Sequence, residues 1–202
     1  MAITISGSGI TSANIADGTI VNADINSSAA IAGTKVSGSF GKVLQVVQTV
    51  KNDTWSSNTN ALTEVTGLTA SLTPSSTTSK ILVMIDAVVG TSYFEVNGSL
   101  YRNGSVITNA IGDANTSITS MQRRTWAGNS YQTTSQSNTY DYFQLGVTYL
   151  DSPSSTALTT YSIALDNYSS NTVYVNRSHY QETSGAYSAR TVSTITLMEI
   201  GA

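Results

Sequence analysis

Through the first forty residues a branched apolar side chain recurs at every fifth position: Ile10, Ile15, Ile20 and Ile25, then Ile31 after one extra residue, and Val36. Between them stand almost only Ala, Gly, Ser, Thr, Asn and Asp, as in Gly18-Thr19-Ile20-Val21-Asn22. A five-residue beat matches neither the period of a helix nor that of a strand. It suits a chain that turns a corner once per repeat and points one side chain inward at each. Such a unit buries little by itself and needs stacked neighbours. About five repeats make roughly one coil of a solenoid, less than stability requires. The missing neighbours are therefore expected from other copies of the chain. Ile10, Ile15, Ile20, Ile25, Ile31 and Val36 are the expected core of a self-associated stem over residues 1–40.

After Ser37-Gly38-Ser39 and Gly41 the pattern changes to short runs of strand chemistry. Val43 to Val50 is apolar nearly throughout and predicts a buried strand. A short strand begins at Leu62, Glu64 and Val65, and Leu68 to Leu72 alternates. Ile81 to Val89 is the most apolar run and is expected at the centre of a sheet. Two Asn-Gly pairs follow, Asn97-Gly98 and Asn103-Gly104. Asn-Gly is a strong hairpin signal because both turn residues take positive φ, yet two pairs so close cannot both turn long strands; Asn103-Gly104 is the expected hairpin. Tyr140 to Leu150 alternates, with Phe143, Leu145, Val147 and Tyr149 on one face. Leu158 to Leu165, Thr172 to Val175 and Thr194 to Ile200 complete the set. No segment shows a helical stripe. Short strands with turn signals every 8–12 residues predict an all-β fold, a jelly-roll-like β-sandwich over residues 41–202.

Composition sharpens this picture. Charged residues are only 10% of the 202, while 40% are hydrophobic. The polar surface is thus made of hydroxyls and amides, and the apolar fraction argues against disorder. The net charge of −3 and the lack of a basic run beyond Arg123-Arg124 argue against a nucleic-acid partner. Cysteine is absent, which excludes disulfides and thiolate metal sites. No window approaches a membrane span, and Met1-Ala2-Ile3-Thr4-Ile5 does not read as a signal peptide. A virion part, released by lysis, reconciles an extracellular composition with that reading.

Enzymatic signatures are lacking. The single histidine, His179, sits in a polar stretch and reads as a surface residue. No nucleophile elbow or phosphate-binding glycine pattern occurs. A glycosidase needs two facing carboxylates, such as Asp141 with Asp151 or Asp166; Asp151 and Asp166 read more simply as strand-ending turn residues. We expect no catalytic residue, no metal and no cofactor. Aromatic rings among short polar residues are more suggestive, because they make adaptable contact surfaces. Trp126 and Tyr131, with Arg123 and Arg124, and Tyr180 with Tyr187 are the candidate glycan- or receptor-binding residues, in segments 112–139 and 176–190. Trp55 is expected to pack.

Several stretches carry a family resemblance. Asp17-Gly18-Thr19-Ile20-Val21-Asn22-Ala23-Asp24-Ile25 and Ala29-Ala30-Ile31-Ala32-Gly33-Thr34-Lys35-Val36 resemble the N-terminal repeats of tail fibres and related virion proteins of marine tailed phages. Val43 to Gln48, Leu72-Thr73-Pro74-Ser75, Ser79 to Val83, Tyr149 to Pro153, Val173 to Ser178 and Ser193 to Ile200 resemble their β domain. The resemblance implies a homotrimer with a slender stem and a β-sandwich knob on the virion, at a tail fibre tip or on the capsid surface. Long fibres carry a docking domain and a long shaft, whereas here about forty residues precede the knob. Residues 1–40 are therefore expected to hold another virion protein, and the knob to touch a host-surface glycan. A capsid decoration (cement) protein or head fibre is the alternative, and a polysaccharide depolymerase is disfavoured.

Overall fold

A computed structural model describes residues 42–92, 94–114, 117, 122–130, 141–167, 171–180 and 189–201. They belong to the second of two compact units, Phe40–Ala202. The repeat segment, and with it Ile10, Ile15, Ile20, Ile25, Ile31 and Val36, lies outside the described residues.

Eleven strands are found among them: β1 (Val43–Lys51), β2 (Trp55–Ser57), β3 (Thr63–Leu72), β4 (Lys80–Thr91), β5 (Phe94–Arg102), β6 (Ser105–Val106), β7 (Trp126–Ser130), β8 (Phe143–Asp151), β9 (Thr159–Asn167), β10 (Val173–Val175) and β11 (Ser193–Ile200). All pairings are antiparallel and fall into two sheets. In the first, β8 runs along one edge of β4. Along the other edge β11 and β10 lie end to end, with Thr194 opposite Asp86 and Val175 opposite Val89. Outside them lie β1 and β2. The second sheet runs β3, β9, β5, with β6 and β7 end to end along the far edge of β5. With each end-to-end pair counted as one strand, every sheet has four, in the double Greek-key order of a jelly roll.

The alternation read from the sequence places the core between the sheets. From the first, Ile81, Val83, Ile85, Ala87 and Val89 of β4, Leu145 and Val147 of β8, and Ile195 and Leu197 of β11 point inward. They meet Val65, Leu68, Ala70 and Leu72 of β3, Val96 and Leu100 of β5, and Tyr161, Ile163 and Leu165 of β9, all buried. The expected central run is indeed the middle of a sheet. Asn103 (φ 52°) and Gly104 (φ 75°) make the β5–β6 hairpin, whereas Asn97-Gly98 lies inside β5. The two short runs around residue 67 form a single strand, β3, whose register breaks where Gly67 takes φ 83°.

One strand differs from expectation. β1 is an edge strand that pairs only with β11, so its outward residues Val46 and Val50 are more than half exposed. Continuous apolarity there does not come from burial on two faces. It extends a row across the outer face of the first sheet, one residue per strand: Val46, Met198, Leu82 and Leu150 stand side by side in register. The outer face of the second sheet is different. Ser99, Ala164 and Asp166 point outward there and are nonetheless buried.

Two polar latches tie the strands together. Asn176 follows β10, has φ 62° and is fully buried. Its N–H donates to Val88 O at 2.9 Å, and its carbonyl accepts from Thr191 N at 3.3 Å. Its side-chain amide donates to Lys51 O at 2.8 Å and Asp53 O at 2.9 Å, and accepts from Ser193 Oγ at 2.6 Å. It thus joins the break between β1 and β2 to the break between β10 and β11. At the other end, buried Glu199 accepts from Ser75 N (2.7 Å), Ser75 Oγ (2.6 Å) and Gln45 Nε2 (2.6 Å), fastening the β3–β4 connection to β1 and β11.

Candidate functional site

The polar cleft with the most preorganised chemistry lies between the two sheets, where β8 and β6 present their outer edges. The Asn103-Gly104 turn builds one wall. Its position is fixed twice on β9: Asn103 N donates to Thr160 O, and Thr160 N donates to Asn103 Oδ1, each at 2.9 Å. The short β6 then gives way to a 3-10 turn at Thr108–Ala110, anchored by buried Ile107. The opposite wall is the end of β8, Tyr149 to Ser152. Its far side is paired to β4, so its near side offers main-chain groups outside any ladder. The cleft encloses about 250 Å³ and is lined by Arg102, Ser105, Thr108, Asn109, Tyr149 and Ser152 among others.

At its floor a carboxylate links the sheets. Asp151, the last residue of β8, is 4% exposed. Its Oδ2 accepts from Arg102 Nη1 at 2.7 Å and from the Tyr161 hydroxyl at 2.7 Å. Burial, and then the bonded carboxylate, raise the Tyr161 hydroxyl well above its ordinary range, so it stays a donor. Burial of Arg102 opposes its charge, but Asp151 more than offsets this and its pKa is raised. The ion pair is asymmetric in access: the arginine side chain is 34% exposed and the aspartate side chain 5%.

The residues singled out from sequence lie elsewhere. Arg123 donates from Nε to Gly112 O at 2.5 Å. Arg124 pairs through Nη2 with Asp166 Oδ2 at 2.5 Å, on the outer face of the second sheet, and Asp166 is 2% exposed. Trp126 opens β7 rather than sitting in a loop; it faces inward opposite Gly98 and is partly buried against the core. Its indole lies over Gly128, where a Cβ would come within 2.5 Å of the ring. Tyr180 is 45% exposed and follows β10, in the other sheet. Near it Arg177 stacks 4.3 Å above the Tyr174 ring, and the Tyr174 hydroxyl lies 3.0 Å from His179 Nδ1. His179 is therefore a bonded, half-buried side chain rather than a plain surface one. Burial, then the Arg177 charge, lower its pKa. Tyr131 and Tyr187 lie outside the described residues. The structure thus gathers Arg123, Arg124 and Trp126 at β7 and places Tyr180 beside the end of β10.

Neither Asp151 nor Asp166 is a turn residue; each is a buried partner of its own arginine. They do not face one another: Asp151 bonds the inward Tyr161, whereas Asp166 points outward from the same strand. Asp141 and Asp151 stand at opposite ends of β8, roughly 30 Å apart by strand rise. Among the described residues no group of three or more His, Cys, Asp or Glu is placed to hold a metal ion, and no helix is long and apolar enough to cross a membrane.

No family model and no curated protein matches the chain. Among solved structures it is similar to a chain of the T13 IBDV viral particle, at 12% identity and a TM-score of 0.36, over 79% of this chain and 38% of that one. The chain thus spans about two fifths of that neighbour's length.

Proposed function

We propose that this chain is a structural protein of a phage virion: a surface knob that works as a homotrimer, is held to another virion protein through residues 1–40, and contributes to attachment at a host-surface glycan. The observation that carries the reading is the contrast between the two sheet faces. The outer face of the second sheet is buried at its centre, at Ser99, Ala164 and Asp166. That of the first keeps Val46 and Leu150 about half exposed, in line with Met198 and Leu82, among neutral Gln48, Thr148, Thr194 and Thr196. A continuous apolar row on a β face marks a surface that is covered in the working state. A second copy is the occupant that fits. The row itself is uncharged, with Asp86, held by Gln144, and Lys80 as the charges elsewhere on that face, and β1 follows directly on the repeat segment, whose isoleucines also call for other copies. The resemblance to phage fibre proteins supports the same assembly.

Sedimentation equilibrium of the full chain tests it. The expected mass is three times the 21.2 kDa of one chain. Val46→Glu with Leu150→Glu is expected to yield folded single subunits. A wild-type protein that stays a lone subunit at tens of micromolar overturns the assembly. Gold-labelled antibody against the chain is expected to decorate purified particles that carry its gene, and bare particles overturn the location. Removal of surface polysaccharide from host cells is expected to abolish binding of the purified trimer; unchanged binding overturns the glycan.

A further inference from the structure

We infer that the cleft between Arg102 and the outer edge of β8 is a binding site for a carboxylate-bearing saccharide, a uronic-acid unit of an acidic glycan. The inference rests on the proposed attachment role for its setting and names the ligand class and the place.

The first argument is preorganisation. Arginine has five N–H donors in a rigid fork, more than Asp151 takes up. Asp151 holds the fork through Nη1 and is itself held by the Tyr161 hydroxyl. The guanidinium thus meets a ligand with its orientation fixed, and little side-chain entropy remains to be lost on binding. The second argument is access. The buried carboxylate is hidden and the arginine is a third exposed, so the cleft presents the cation. Among the described residues Arg102 is the one cation in the lining, and Asp151 already offsets part of its charge. That arrangement suits a monoanion better than a phosphate dianion, and a planar carboxylate matches the fork bidentately. The third argument is the rest of the wall. Ser105, Thr108, Asn109 and Ser152 supply hydroxyls and an amide for sugar hydroxyls, with Tyr149 beside them and the edge of β8 adding main-chain groups. A volume of about 250 Å³ is near the lower end of small-ligand sites, the scale of one sugar ring. Weak binding at one such site gains from repetition in a trimer.

The test is calorimetric titration of the full chain, at low salt, with oligosaccharides of galacturonate, glucuronate and mannuronate and with the same chains after reduction of the carboxyl to an alcohol. At least one uronate is expected to bind, and its reduced counterpart to bind about tenfold more weakly or worse. Arg102→Gln combined with Asp151→Asn, which leaves no stranded buried carboxylate, is expected to lower uronate affinity by about tenfold or more. Should that pair of changes compromise folding, the exposed Asn109 decides. Asn109→Ala is expected to weaken binding about threefold to tenfold, and Asn109→Trp to block it, with an unchanged melting temperature. Equal binding of the reduced chains overturns the carboxylate; uronate binding indifferent to the Asn109 changes overturns the place; no uronate binding at all overturns both. The attachment reading fails separately. Cells that hold the trimer through surface polysaccharide, while no uronate binds, sink this site and leave the attachment role standing. A protein that binds uronates and ignores host cells does the reverse.

Discussion

At the residue scale, a few buried polar groups tie separate strands together. Asn176 makes five hydrogen bonds from a left-handed backbone, which Asn tolerates better than most residues. Asn176→Ala leaves the Lys51 and Asp53 carbonyls and the Ser193 hydroxyl without that partner. It is expected to cost about 3 kcal/mol in urea unfolding, with Asn176→Gly recovering roughly 1 kcal/mol by relieving the backbone. Glu199 ties the stability of the fold to pH. Burial raises its pKa, but the bonds from Ser75 and Gln45 outweigh that and hold it at about 2, against an ordinary 4.5. A carboxylate depressed in the folded state stabilises the fold fully above pH 4.5 and loses that contribution as pH falls toward 2. Denaturation curves at pH 7 and pH 2.5 are expected to show Glu199→Gln less stable than wild type at the first and closer to it at the second. None of these roles was visible in the sequence. Asn176 lies inside Val173 to Ser178, a stretch that carries a resemblance but no sign of what its amide bonds. Asp151 and Asp166 read as turn residues because a linear pattern does not show which arginine folding brings beside them.

At the element scale, periodicity carried far. The alternation in β8 separated its two faces as the structure has them, the long apolar run of β4 marked a strand in the middle of a sheet, and positive φ at Asn103 and Gly104 is what the hairpin required. Pattern failed where an element is defined by its neighbours. β1 looks buried because its outward valines serve a face rather than a core, and Trp126 looked like a loop ring because Gly128 and Asn129, next to it, are turn-forming types in a strand. Gly90 shows such a constraint in a strand interior. A Cβ there would lie 2.6 Å from the Arg177 carbonyl oxygen and 3.2 Å from that of Asp141, where the ends of β4, β8 and β10 converge. Main chain on both sides leaves no flexible tip to yield, so Gly90→Ala is expected to cost about 2 kcal/mol or more in thermal or urea unfolding. Gly128→Ala meets only the Trp126 ring, which has a solvent side, and is expected to shift the tryptophan emission maximum with a smaller loss.

At the scale of the molecule, short strands and frequent turns pointed to the sandwich, whereas the order of strands in its two four-membered sheets is set by pairings between residues far apart in the chain. The cleft was not legible, since Arg102 and Asp151 stand 49 positions apart in the chain and are brought together from different sheets. The asymmetry of the outer faces was not legible either, because apolar residues on a strand do not announce whether they look toward the core or toward a neighbour. One property of the first sheet reaches beyond assembly. The chain leaves β4 after Val175 and rejoins it at Thr194, opposite residues only three apart, Val89 and Asp86, so roughly 10 Å of strand separates departure from return. Asn176 knots the neck through Thr191 and Ser193. Between Tyr180 and Ala189, whose flanks are tied to the fold by the His179–Tyr174 and Tyr142–Ala189 bonds, added chain costs loop-closure entropy that grows only logarithmically, about 0.6 kcal/mol for each doubling. Evolution, or an engineer grafting a foreign peptide, has there a socket whose two rims are already fastened.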